Sequence, residues 1–253
     1  HDHAALYHAL RAARQVWCVF VFDRDILDAL PKRDRRVEFI RDSLLGLDAQ
    51  LRALGSAHGI EGVGLIVRHD HAAPAVAALA AQLCVQAVYA NHDDDPAALA
   101  RDARVCGRLA DIGVALHTAK DHVVFERSEL LSAGGNPYSV FTPYKSAWLK
   151  KLDDFDLKAY PVARHAGALA PLPGGLRQPL PALADIGFEA TNLHALKLPS
   201  GSVGGQELLD DFIGERIGRY HDTRDFPAVK GPSYLSTHLR FGTLSVRHLA
   251  REA

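Results

Sequence analysis

Apolar and polar positions along the first 125 residues switch between two periods, the pattern of a parallel sheet with helices on its faces. Ala4–Arg14 reads as a helix. QVWCVFVFD, from Gln15 to Asp23, is nearly continuous in apolar residues and reads as a strand buried on both faces. Val37, Ile40, Leu44, Leu47, Leu51 and Leu54 then recur at steps of three and four. They form one apolar stripe, with Arg35, Arg36, Arg41, Asp42 and Asp48 outside it, so this helix is expected to pack on the sheet. Val63–His69 predicts a second strand, Pro74–Gln86 an alanine-rich helix, Ala87–Asn91 a third strand and Gly113–Ala119 a fourth. The helix before the fourth strand opens with Asp95 as N-cap and Pro96 at its first position, where proline gives up no hydrogen bond. A right-handed βαβ series follows from these alternations.

From Gly134 the texture changes. Prolines and glycines spread through a stretch of weak periodicity, which reads as a long crossover linker. Helical order returns at Gln206, where Leu209, Phe212, Ile213, Arg216, Ile217 and Tyr220 share one face, and a further helix is expected from Ser245. Gly201, Gly204 and Gly205 read as a flexible lead-in to that first helix.

The chain has 253 residues, 48% of them apolar and 23% charged, enough for two globular domains with real cores. It lacks a run of about 18 apolar residues, the length of a membrane span, and the expectation is a cytoplasmic monomer without a membrane partner. Cys18, Cys84 and Cys106 are far apart and read as reduced, partly buried thiols. A net charge of -1 exerts no global pull on nucleic acid, so DNA binding would need a local basic face. Arg216, Arg219, Arg224, Lys230, Arg240, Arg247 and Arg251 supply one, against Asp222 and Asp225.

The strand ends are polar: Asp23-Arg24-Asp25, Arg68-His69-Asp70-His71, Asn91-His92-Asp93-Asp94-Asp95 and Lys120-Asp121-His122. Ligands of parallel α/β sheets bind beyond these carboxyl ends. His69, His71, His92 and Asp93 could hold a metal, as in a metal-dependent hydrolase. The plainer reading is solvated, capped loops, and no metal ligand is assigned. GxGxxG after the first strand, GxxxxGK[ST] and GxSxG are all absent. Near the C-terminus, Lys230-Gly231-Pro232-Ser233-Tyr234-Leu235-Ser236 places a turn before a helix-like run, and Ser233 and Ser236 read either as an ordinary cap or as phosphate ligands.

RDFPAVKGPSYLSTHLRFGTLSVR, from Arg224 to Arg247, resembles the stretch of DNA photolyases and cryptochromes with the recurring frame RDxPxxxGTSxLSxHLxFGxLSxR. Pro232 stands where that frame has threonine. FTPYKSAWLK, from Phe141 to Lys150, is similar to a second block of the family. His1-Asp2 and the helix after it resemble the end of the family's opening strand and loop, with the first strand expected upstream. The resemblance implies a Rossmann-like α/β antenna domain over 1–132, an interdomain linker over 133–204, and over 205–253 the first helices of an all-α domain that binds FAD.

The resemblance further implies that Pro232, Ser233, Tyr234, Leu235 and Ser236 grip the flavin phosphates, that Tyr220 also touches FAD, and that Arg224 approaches the DNA backbone. A salt bridge to Asp222 or Asp225 is the alternative for Arg224. Pro232 lacks the N–H and hydroxyl of threonine, which weakens one phosphate contact. The implied activity is that of a deoxyribodipyrimidine photo-lyase, a carbon–carbon lyase repairing pyrimidine dimers in damaged DNA by electron transfer from reduced FAD. A cryptochrome photoreceptor is the alternative. No catalytic residue is assigned, because the dimer pocket and electron relay belong to the family's later helical region, and this chain alone is expected to be inactive. A second antenna chromophore is left unidentified. Ala97 and Ala98 stand where the folate-binding variant has Asn and Glu.

Overall fold

The computed structural model describes residues 2–253. Its front half is built on two parallel strand pairs. β1 (Cys18–Asp23) runs beside β2 (Leu65–Asp70), with Cys18 opposite Leu65 and Asp23 opposite Asp70. β3 (Ala87–Asn91) runs beside β4 (Ala115–Ala119). The crossovers are helical, as parallel pairing requires: α2 (Arg24–Leu27) and α3 (Arg35–Ser56) join β1 to β2, and α5 (Pro96–Ala110) joins β3 to β4. α4 (Ala72–Gln82) lies between the pairs in sequence and packs on α5. α1 (Ala4–Ala12) packs on β3, and its Ala5 N–H donates to Asn91 Oδ1 at 2.9 Å. The two pairs form separate two-stranded sheets among the described residues. β1 therefore has one strand neighbour, and Val19 is 39% exposed where burial on both faces was expected.

α3 departs from its simple stripe in a telling way. Val37, Leu44 and Leu51 are buried, but Leu47 is exposed and the expected outward residue Asp48 is buried. The helix packs on the sheet side and also on α7 (Gly201–Asp211), so two faces are covered over its 22 residues. Asp48 Oδ1 accepts the Leu65 N–H at 2.7 Å, and Arg52 holds the other oxygen at 2.7 Å. A carboxylate thus caps the start of β2, a role that hydrophobic periodicity does not reveal.

The proline-rich stretch contains α6 (Phe141–Lys151) and several 3₁₀ turns, and it contributes core residues. Val162, Ala166, Leu169, Ile186 and Phe188 are buried in one cluster with Phe22, Val37, Leu44, Leu51 and Leu65. Val16 exchanges backbone hydrogen bonds with this stretch, its N–H to Ala168 at 2.8 Å and its C=O from Ala170 at 3.0 Å. Burial of roughly 1.5–3 kcal/mol per large apolar side chain fastens it to the α/β layer.

α7 starts at Gly201, five residues earlier than expected, and Gly204 and Gly205 lie inside it. They permit close packing and do not form a flexible lead-in. A Cβ on Gly205 would sit 2.9 Å from His238 Nδ1, and one on Gly204 would sit 2.7 Å from the Pro199 carbonyl carbon. Past Asp211 the helix loosens into a π turn at Phe212–Arg216 and a 3₁₀ turn at Ile217–Arg219 before α8 (Tyr220–Thr223). Gly214 and Gly218 weaken an α-helix there. The single face expected from Leu209 to Tyr220 is broken as a result: Leu209 and Arg216 are buried, while Ile217 and Tyr220 are exposed. α9 (Ser236–Arg240) and α10 (Val246–Glu252) close the described chain. No helix among the described residues is long and apolar enough to cross a membrane.

Candidate functional site

The segment Pro232–Ser236 is held from below and open above. Leu235 is buried with Leu209 and Leu244 and anchors the turn. The buried Arg216 donates through Nη1 to the Pro232 carbonyl, and its Nη2 pairs with Asp211 at 2.6 Å. Its guanidinium also lies 5.5 Å from the Tyr234 ring centroid, a cation–π arrangement. Tyr234 adopts φ +60°, a conformation few bulky residues take, and its side chain stays exposed. Gly231 is required by the turn, because a Cβ there would lie 2.8 Å from the Thr223 carbonyl oxygen.

Ser233 Oγ accepts weakly from the Leu235 N–H at 3.4 Å, and Ser236 is exposed in the first turn of α9. The residue before that turn, Leu235, provides no side-chain cap, so the first N–H groups of α9 are not satisfied by a capping side chain. Two hydroxyls and uncapped N–H groups on one partly exposed turn form a donor set that fits phosphate oxygens. Pro232 adds neither donor. Its carbonyl instead serves as the point that Arg216 grips. Sequence reasoning placed Arg216 on a helical face and in the basic patch, and missed this buttressing; the signal was an arginine on an otherwise apolar face.

Tyr220 is partly exposed, with its ring edge-on to Phe212 at 5.8 Å. It lies on the helical turn that precedes the loop to Pro232, and among the described residues no hydrogen bond joins its side chain to Ser233 or Ser236. Arg224 is 54% exposed at its side chain; its Nε is 3.6 Å from the still more exposed Asp225, and Asp222 pairs with His221 instead. An exposed pair at that distance contributes little, leaving the guanidinium accessible to a phosphate.

The basic face is smaller than the sequence suggested. Arg216 is buried against Asp211, and Arg247 is buried between Asp2 at 2.8 Å and Asp121 at 2.5 Å. Lys230 pairs with Asp211 at 2.9 Å, and Arg251 donates to the Leu157 carbonyl. Only Arg216 and Arg247 are withdrawn from the face by these contacts, since Lys230 and Arg251 keep exposed side chains. Arg219, Arg224 and Arg240 remain exposed. Arg240 borders a 310 Å³ cavity beyond β3 and β4, lined also by His92, Asp93, Asp121, His122 and Glu126.

The four residues considered as metal ligands do not assemble. His92 uses both ring nitrogens, Nδ1 on Glu126 at 2.7 Å and Nε2 on Thr118 at 2.8 Å. His71 instead contacts Asp25 at 2.6 Å on the other strand pair. All three cysteines are free thiols; Cys84 and Cys106 are exposed, and burial pushes Cys18 up to about 12. Ala97 and Ala98 occupy the first turn of α5, where the Ala97 N–H donates to the Asp95 cap and Ala98 is buried.

The family model for DNA photolyases matches residues 1–164. A deoxyribodipyrimidine photo-lyase of Halobacterium salinarum is 35% identical over 92% of this chain and 46% of its own length. A cryptochrome of a Synechocystis species superposes with a TM-score of 0.77 at 20% identity, over 99% of this chain and 52% of that one. An archaeal photolyase of Sulfolobus tokodaii, solved with two FAD molecules, superposes with a TM-score of 0.65 at 22% identity, over 99% of this chain and 51% of that one. The chain thus spans about half the length of these relatives, and its parallel strand pairs, helical crossovers and C-terminal helices agree with their fold. The chain belongs to the DNA photolyase family.

Proposed function

We propose that this chain is the front half of a light-driven DNA-repair flavoprotein, a deoxyribodipyrimidine photo-lyase acting on pyrimidine dimers. The observation that carries the reading is the partly exposed turn Pro232–Ser236, whose uncapped N–H groups and two hydroxyls offer phosphate donors on a base of Leu235 and Arg216. Residues 1–132 serve as antenna domain, 133–204 as the connection and 205–253 as the opening of the FAD-binding domain. Ser233 and Ser236 hold the flavin phosphates, Tyr234 and Leu235 shape the turn, Pro232 contributes no donor, and Tyr220 borders the cofactor.

When bound, reduced FAD supplies the excited electron that opens the dimer. The chain's own residues bind and orient. Arg224 meets a DNA phosphate, positioning the duplex without reading its sequence. Damage lowers the cost of extruding the dimer from the stack. Support for the cofactor comes from the donor chemistry of the turn and from the FAD-containing relative. The test is extraction of purified full-length protein. FAD released in about one equivalent per chain, and reduced occupancy in a Ser233→Ala, Ser236→Ala double variant, support the reading; folded protein without flavin refutes it.

A further inference from the structure

We propose that Asp23, Asp25 and His71 form a binding site for a divalent transition-metal cation of the zinc class, at the carboxyl ends of β1 and β2. Asp23 ends β1, Asp25 lies in the first turn of α2, and His71 follows Asp70, the residue paired with Asp23 across the ladder. The parallel register brings the three together. Their ligand atoms all lie within 4.8 Å of one another, a convergence that the metal reading of the sequence, built on His69, His71, His92 and Asp93, did not contain.

The independent observation is the state of Asp23. The residue is only 6% exposed, yet it is a carboxylate. Its Oδ1 accepts two backbone N–H groups, from Asp25 at 3.1 Å and from Ala72 at 3.2 Å, and so caps α2 while tying it to the start of α4. Its Oδ2 is fully enclosed and has no hydrogen-bond donor among the described residues. A buried carboxylate oxygen without a donor is costly, and a directly bound cation is one of the few partners that satisfies it. No arginine or lysine is paired with it; the nearby Arg104 reaches Asp25 Oδ2 at 3.1 Å instead.

The donor set selects the cation. One imidazole and two carboxylates suit zinc and manganese better than calcium, which prefers six or more oxygens. His71 Nδ1 and Asp25 Oδ1 stand 2.6 Å apart. Bonds of about 2.0–2.2 Å to a tetrahedral zinc place neighbouring ligand atoms about 3.3 Å apart, so these two open by under about 1 Å. Both side chains are half exposed and free to make that adjustment. A 350 Å³ cavity lined by Asp25, Pro74, Arg104 and Asp111 lies beside them and gives solvent access. The guanidinium of Arg104 competes for Asp25 and repels the metal, which sets the affinity below that of a closed structural site.

Competition of the purified protein against a chromophoric chelator, with Zn²⁺ as the probe, tests the site. The expected result is one tightly held Zn²⁺ per chain, weakened at least about tenfold in both His71→Ala and Asp25→Asn. Arg104→Ala is expected to keep the stoichiometry and tighten binding. These three positions are at the surface, so circular dichroism should show all variants folded. The chain has 14 histidines that could bind zinc loosely. Uptake unchanged in His71→Ala and Asp25→Asn would place the metal on those, and that result, or no stoichiometric uptake by the parent protein, overturns the proposal.

Discussion

Arg247 Nη2 donates to Asp121 Oδ1 at 2.5 Å, joining the last helix to the loop after β4 across 126 residues of sequence. The same nitrogen reaches Asp2 Oδ1 at 2.8 Å, Ser245 Oγ donates to Asp2 Oδ2 at 2.6 Å, and the guanidinium stacks 4.9 Å from the Tyr160 ring. One buried cation therefore ties together the chain's beginning, its middle and its end. Arg247→Ala removes the cation from two largely enclosed carboxylates, and the expected loss is about 3 kcal/mol in urea denaturation, the lower end of the cost of breaking a buried pair from one side because each carboxylate keeps other hydrogen-bond donors. A loss under about 1 kcal/mol, the level of a surface pair, would contradict this account.

Acid should act on the same cluster. Burial pushes the Asp2 carboxyl up, but hydrogen bonds from Arg247, Ser245 and the Tyr160 N–H outweigh it and hold the group below its ordinary value. A depressed carboxyl contributes stability that is present above its unfolded value and lost as pH falls through the folded one. His238 gives out earlier. It is wholly buried, its Nδ1 within 2.8 Å of Thr243 Oγ1, and burial pushes its imidazole below the usual range. Below an unfolded value of about 6.5 the unfolded chain takes up a proton that the folded one refuses, so stability falls as pH falls. Thermal midpoints from pH 7.5 to 5 should decline in the parent and decline less in His238→Gln; parallel curves would exclude His238 as the cause.

Pro232→Thr should improve flavin retention. The carbonyl that Arg216 grips is part of the backbone and survives the substitution, while an N–H and a hydroxyl are added to the turn. Another hydrogen bond to a charged phosphate is worth about 1.5–3 kcal/mol, or roughly a 13- to 160-fold lower Kd for FAD by equilibrium dialysis of the full-length protein. Weaker binding would mean that proline's fixed backbone matters more than the donors it lacks.

Arg224→Ala in the full-length protein should weaken DNA binding about equally across sequences and lower the slope of log K against log salt by about one. An unchanged slope would return Arg224 to its contact with Asp225.

The α/β elements were legible because each rests on local chemistry. Asp95 and Pro96 mark the start of α5, and the stripe from Val37 to Leu51 marks α3. What stayed hidden depended on partners that only the folded chain brings into contact. Asp48 looks like a solvent residue until β2 offers it a backbone N–H, and Arg216 and Arg247 look like a DNA-facing patch until Asp211, Asp2 and Asp121 bury them. At the candidate site the sequence frame located the turn and the accessible Arg224. The positive φ of Tyr234 and the buttress beneath Pro232 are tertiary facts, set by contacts that no spacing encodes.

The most direct test of the repair proposal is photoreversal of pyrimidine dimers in a defined oligonucleotide by the reduced full-length protein, in blue light and in darkness. The account predicts intact pyrimidines restored in the light only. A protein that binds FAD and undergoes photoreduction yet leaves the dimers unchanged would contradict it.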